Sequence, residues 1–212
     1  MAVGNREQNR KLTEAEQKRL ARFNQHCTEL EAQGYRKTEL TVGIVKANVV
    51  TIAVSIPLIA AALALFLLVN HSPIDPHAAA SPLVFIAVLA LIVVHELIHG
   101  FTWSFFAPHR FADIEFGFMK EYLTPYCTCT APLPREGYIV GSLAPLVTLG
   151  IIPTAVAIAT GSFTLLVVGL FMILGAGGDV MIVLMLLRHK SSASEQLICD
   201  HPTQAGSVLF ER

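Results

Sequence analysis

Four long apolar runs set the layout of this chain, at about 47–69, 82–106, 138–160 and 163–187. Each is long enough for a helix to cross a ~30 Å hydrocarbon core, which takes roughly 20 residues. None contains a Lys or an Arg. Outside the runs the periodicity changes. Thr13 and Glu16 have the Thr-x-x-Glu spacing of a capping box. Leu20, Phe23, Cys27 and Leu30 follow at three- and four-residue steps. This predicts a charged helix with a narrow apolar stripe, ending near Gly34. After the second run, Ile114, Phe116 and Phe118 alternate with Glu115 and Gly117, a period of two that predicts a strand. The stretch EYLTPYCTCT supplies a second extended segment, and Pro132 and Pro134 break the chain before the third run.

The expected fold is an all-α polytopic membrane protein. Four transmembrane helices carry a small cytoplasmic β-hairpin or sheet between helices two and three, and an amphipathic cytoplasmic helix precedes them. The expected organisation is a cytoplasmic N-terminal segment over 1–44, a four-span domain over 45–190 with a cytoplasmic loop at 107–137, and a cytoplasmic tail over 191–212. The first 44 residues are polar, so the first span is expected to act as an uncleaved signal-anchor.

Composition supports the membrane reading. Apolar residues make up 53% and charged residues 15% of the chain, against about 25% charge in an ordinary soluble domain. The formal net charge of −1 suggests no nucleic-acid partner. The positions of the basic residues then set the topology. Of the 15 Lys and Arg residues, the last before the first span is Lys46. Arg110, Lys120 and Arg135 lie between spans two and three, and Arg188, Lys190 and Arg212 follow span four. The connection NHSPIDPHAAAS and the short turn near Gly161 have none. The expected protein is therefore multi-pass in the cell membrane, with both termini cytoplasmic. Cys27, Cys127, Cys129 and Cys199 all fall on that side, where thiols stay reduced. Cys127 and Cys129 share one face of an extended segment, which favours packing over a second metal site.

The candidate chemistry sits in VVHELIHG, residues 93–100. On a helix, residues i and i+4 share a face, so His95 and His99 can grip one ion and Glu96 can reach its water as general base. This is the His-Glu-x-x-His arrangement of zinc peptidases. Of the His, Asp, Glu, Lys and Arg side chains, only His95, Glu96, His99 and Asp179 lie within the four spans. Such groups at membrane depth cost about 2.5–3.5 kcal/mol each on insertion scales and are functional by default. Counting ~1.5 Å per residue from the outer ends, His95 and His99 lie about 20 and 26 Å deep and Asp179 about 24 Å. Asp179 is thus the expected third ligand. Gly175–Gly178 precede it, and small residues let membrane helices approach closely. Glu115, Glu121 and Glu136 are alternatives in the loop, and His109 is a weaker one. The metzincin pattern is excluded by Thr102 and Phe105.

Together, VVHELIHG, PYCTCTAPL, GSLAPLVTLGIIP and GAGGDVMIVLMLLR resemble the bacterial putative zincin peptidase family, over roughly 39–210. A more distant resemblance is to the site-2 intramembrane metalloproteases, although Asp179 is followed here by Val180 where those proteins usually have Gly. The resemblance implies Zn²⁺ on His95, His99 and Asp179, with Glu96 as base, and a protein or peptide substrate associated with the membrane. The alternative class is a zinc-binding membrane protein without hydrolysis, a small transporter or scaffold. A transporter needs polar groups along a path through both leaflets, whereas these groups cluster in one layer.

Overall fold

The structure is a computed structural model that describes residues 13–70, 77, 80–119 and 124–212. The connection between the first two long helices, together with Lys120 and Glu121, lies largely or wholly outside the described residues.

Helix α1 (Glu14–Ala32) starts at the predicted box. Thr13 caps the Glu16 amide, and the Glu16 carboxylate accepts from the Thr13 backbone N–H. The chain turns at Gly34, whose φ of 87° suits a residue without Cβ, and enters strand β1 (Arg36–Val42). The first long helix, α2 (Ile44–Val69), follows. The second, α3 (Pro82–Ser104), has Ser81 as N-cap and Pro82 in its first turn, where a missing N–H costs nothing. A short 3₁₀ turn at Arg110–Asp113 leads into β2 (Ile114–Met119), which pairs antiparallel with β3 (Thr124–Cys129). This is the predicted hairpin.

The third span is assembled from pieces. After β4 (Leu133–Pro134), α4 (Arg135–Pro145) runs through a π-helical segment at Leu146–Ile151 into α5 (Ile152–Thr160). Gly161, at φ 70°, ends it, and Ser162 caps α6 (Phe163–Gly175). At Ala176 the chain bends by 45° into α7 (Gly177–Arg188). Three helices are long and apolar enough to cross a membrane, or four if the bent α6–α7 pair is one span. Their outward side chains are apolar, among them Ile52, Leu68, Leu83, Phe85 and Phe101.

The tail contributes more than was expected of it. Strands β5 (Gln196–Asp200) and β6 (Ala205–Glu211) join β1 and β4 in a four-stranded antiparallel sheet of order β1-β6-β5-β4. The N-terminal segment and the tail are therefore partners, with Arg36 opposite Glu211 and Val42 opposite Ala205. Both faces of this sheet are covered. Val208, Phe210 and Cys199 pack with Cys27 and Leu30 of α1. Leu209 and Ile198 face the other way, into a core with Trp103, Cys129, Leu133, Tyr138 and Leu186. That second core joins the ends of α3 and α7 to the start of α4. The sheet, the hairpin and the metal-ligating layer are thus parts of one packed unit.

Candidate metal centre

One turn of α3 separates His95 from His99, and both are buried. Their rings lie 4.7 Å apart, centre to centre, in an edge-on arrangement, with the Nε2 atoms at 3.0 Å. Asp179 comes from the first turn of α7, just past the bend. Its Oδ2 is 3.2 Å from His95 Nε2 and its Oδ1 is 3.4 Å from His99 Nε2. Among the described residues this is the one group of three or more His, Cys, Asp or Glu side chains gathered closely enough to hold a metal ion. The three residues expected in one layer do meet.

The orientation of His99 narrows what can sit between them. Its Nδ1 is 2.9 Å from the Gly141 carbonyl oxygen. A carbonyl only accepts, so Nδ1 carries a proton, and in the neutral imidazole Nε2 keeps a lone pair. That lone pair faces a carboxylate oxygen, and two acceptors at 3.4 Å need positive charge between them. The spacing also suits a metal. Donors at 2.0–2.1 Å from one tetrahedral Zn²⁺ lie about 3.3 Å apart, and the three separations here are 3.0, 3.2 and 3.4 Å. The donor set therefore fits zinc in both chemistry and size. A histidine ligand whose other nitrogen donates to a backbone carbonyl is the usual way to fix ring and tautomer.

Further contacts hold the ring. Trp103, four residues on along α3, stacks on His99 at 4.9 Å and 17°. Its Nε1 donates to the Tyr138 carbonyl, and its ring also stacks on Tyr138. Gly141 has no side chain because a Cβ there would run into the Trp103 indole. On the other side, Gly177 lets α7 approach α2, since a Cβ would meet Ser55 and Thr51. The expected close approach at the small residues is present, but it is made to α2.

Glu96 is half-buried and stands outside the donor triangle, with its carboxylate against the backbone amide of Cys127. That amide belongs to the free edge of β3. The Thr130 N–H donates to the Asp113 carbonyl, which makes 113 and 130 a hydrogen-bonded pair. Alternation then turns the main-chain groups of Thr124, Tyr126 and Thr128 toward β2 and those of Cys127 and Cys129 away from it. Among the described residues, β3 pairs with no other strand. It runs along a cleft of about 1140 Å³ whose wall includes Asp179, Gly178 and Ile182 of α7. Arg19, Phe23 and His26 of α1 and residues 199–206 complete the cleft.

The alternative ligands lie elsewhere. Glu115 pairs with Arg22, and His109 pairs with Asp113. Glu136, in the first turn of α4, is not in the cluster, and Glu121 lies outside the described residues. All four cysteines are free. Burial is the main cause that pushes the Cys129 thiol up to about 12 and the Cys127 thiol higher still. Both stay protonated, as packing groups do. Sequence reasoning did not single out Trp103, Tyr138, Gly141 or Asp200. Trp103 did carry a signal, as the single tryptophan of the chain at i+4 from His99.

Residues 88–194, half of the chain, match the family described as "putative zincin peptidase", and the chain belongs to that family. The family implies a zinc metallopeptidase. No curated protein and no solved structure matches the chain.

Proposed function

We propose that this protein is a zinc-dependent membrane metallopeptidase that hydrolyses a peptide bond of a membrane-associated protein near the cytoplasmic face. The observation that carries the reading is the convergence of His95, His99 and Asp179 nitrogen and oxygen atoms within 4.8 Å of one another, beside a carboxylate that is not one of them. His95, His99 and Asp179 are the metal ligands and Glu96 is the general base. Bound zinc supplies Lewis-acid chemistry, lowering the pKa of water toward about 7 and stabilising negative charge at a carbonyl oxygen. The Glu96 carboxylate takes the proton of the attacking water and passes it to the leaving nitrogen. The Gly141 carbonyl and the Trp103 ring keep His99 Nε2 aimed at the site. The substrate lies extended along the free edge of β3, adding a strand through the Cys127 carbonyl and the main-chain groups of Cys129, with the Cys127 amide left to Glu96. An extended substrate suits the cleft, which runs beside that edge.

On this reading both termini lie in the cytoplasm, and the support is that a four-span topology puts every Lys and Arg on one side. A reporter after Lys190 would delete β5 and β6, so the C-terminal fusion belongs after Arg212. That fusion and one in the 70–81 connection are expected to report opposite sides of the membrane.

The decisive experiment compares wild type with Glu96→Gln on a panel of single-span membrane peptides. The variant is expected to keep about one zinc per chain while hydrolysis falls by ~10²–10⁴-fold. Undiminished cleavage by Glu96→Gln would remove Glu96 from the mechanism. A wild type that binds zinc and cuts nothing across the panel would favour the non-catalytic alternative.

A further inference from the structure

Asp200 ends β5, in the tail, beyond the residues that match the family and outside the apolar helices. Its carboxylate is fully committed. Oδ1 accepts from the Tyr138 hydroxyl at 2.6 Å and Oδ2 from the Thr128 hydroxyl at 2.7 Å. The two donors belong to different parts of the site. Tyr138 stacks on Trp103, which stacks on His99, and the Tyr138 carbonyl accepts from the Trp103 indole. Thr128 follows Cys127 in β3, and the Cys127 amide is the one that meets Glu96. One carboxylate from the sheet thus grips the aromatic column behind the metal ligand and the strand beside the general base.

We infer that Asp200 is a positioning residue for the peptidase reaction, bracing His99 through Tyr138 and Trp103 and fixing the substrate strand β3 through Thr128. This rests on the metallopeptidase reading given above. Short charge-assisted hydrogen bonds on both oxygens are stronger than neutral ones, and the described partners of both oxygens are hydroxyl groups. The carboxylate is therefore spent on orientation. The C-terminal sheet becomes a working part of the site, and the column from Asp200 to His99 gives the tail a route to the metal layer.

The two arms predict separable effects, which a general loss of packing would not produce. The full chain in detergent is loaded with Co²⁺ in place of Zn²⁺, and its visible d–d band reports ligand geometry. Kinetics use a single-span peptide that the wild-type zinc protein cuts. Tyr138→Phe removes the ligand-side arm and is expected to shift the Co²⁺ band and lower kcat about tenfold, the scale of losing a contact that orients a metal ligand. Thr128→Val removes the strand-side arm and is expected to raise KM several-fold with the Co²⁺ band unchanged. Asp200→Ala combines both, with kcat/KM down by ~10–100-fold. Asp200→Asn accepts from Tyr138 and donates to Thr128, so it is expected to recover both parameters to within about threefold. Wild-type kcat, KM and Co²⁺ band in Asp200→Ala would overturn the assignment. So would losses in all three variants that merely track the fraction of folded, metal-loaded protein. If the wild type cuts no peptide, the peptidase reading fails, and the Co²⁺ bands of Tyr138→Phe and Asp200→Ala still decide whether the brace exists.

Discussion

The long helix α3 and the bent pair α6–α7 supply the candidate metal site in contrasting ways. α3 is one unbroken helix over Pro82–Ser104, and it delivers His95 and His99 with helical repetition alone. The α6–α7 pair is broken at Ala176, and Asp179 sits in the first turn after the bend. Two ligands are therefore fixed relative to each other by local backbone geometry. The third is fixed by where one helix ends and the next begins. The histidine side is stiffened further by Gly141, Trp103 and Tyr138, whereas the aspartate side depends on the seat of Gly177 against Thr51 and Ser55. The lesson is that a site can be rigid on one side and adjustable on the other, and substitutions should separate the two.

The largest expected effect is loss of the metal itself. His99→Ala removes a ligand from the stiff side and is expected to abolish stoichiometric zinc, measured by metal analysis of purified protein. Asp179→Ala is expected to do the same. Full zinc retention in both would mean that the ligands are misassigned. One step down, Gly141→Ala should weaken zinc by ~10–100-fold, because the new methyl displaces Trp103 from behind His99. Competition with a chelator measures this. Gly177→Ala should cost about 1–3 kcal/mol of stability through overpacking against α2. Its effect on zinc should be smaller, since a carboxylate can rotate to follow the metal. Equal zinc weakening by the two glycine variants would erase the proposed asymmetry. The smallest effect is expected at Arg22, whose ion pair with Glu115 links α1 to the hairpin at 2.7 Å with both side chains around two-fifths exposed. Arg22→Ala should change stability by no more than about 1 kcal/mol, read as a shift in thermal midpoint. A larger shift would mean that α1 is tied to the hairpin by more than this pair.

The same asymmetry governs what the sequence made legible. His95, Glu96 and His99 could be read because their relation is local, and a four-residue step is visible in any helix. Asp179 could be read from depth, since two antiparallel or parallel helices of known length share layers. The bend before it could not, because Gly175–Gly178 read equally well as a straight run of small residues. The hairpin was legible through the alternation at Ile114, Phe116 and Phe118. β6 was not. Val208, Leu209 and Phe210 are all buried, since α1 covers one face of the sheet and the central core covers the other. A strand buried on both sides loses the period of two that identifies it. Asp200 was invisible for a related reason, since both of its partners lie more than 60 positions earlier, at Thr128 and Tyr138.

The pairing of β1 with β6 has a consequence for how the molecule is made. Arg36 finds Glu211 only after every apolar helix has been synthesised. Until then β1 waits with an open edge, which is prone to pairing with the wrong neighbour. Helix α1 also lacks packing partners, since Val208 and Phe210 are still missing. His95, His99 and Asp179 are all made before the tail. The carboxylate of Asp200 and the strand that holds it arrive later. Synthesis thus delivers the three candidate ligands first and completes the sheet that stands behind them last.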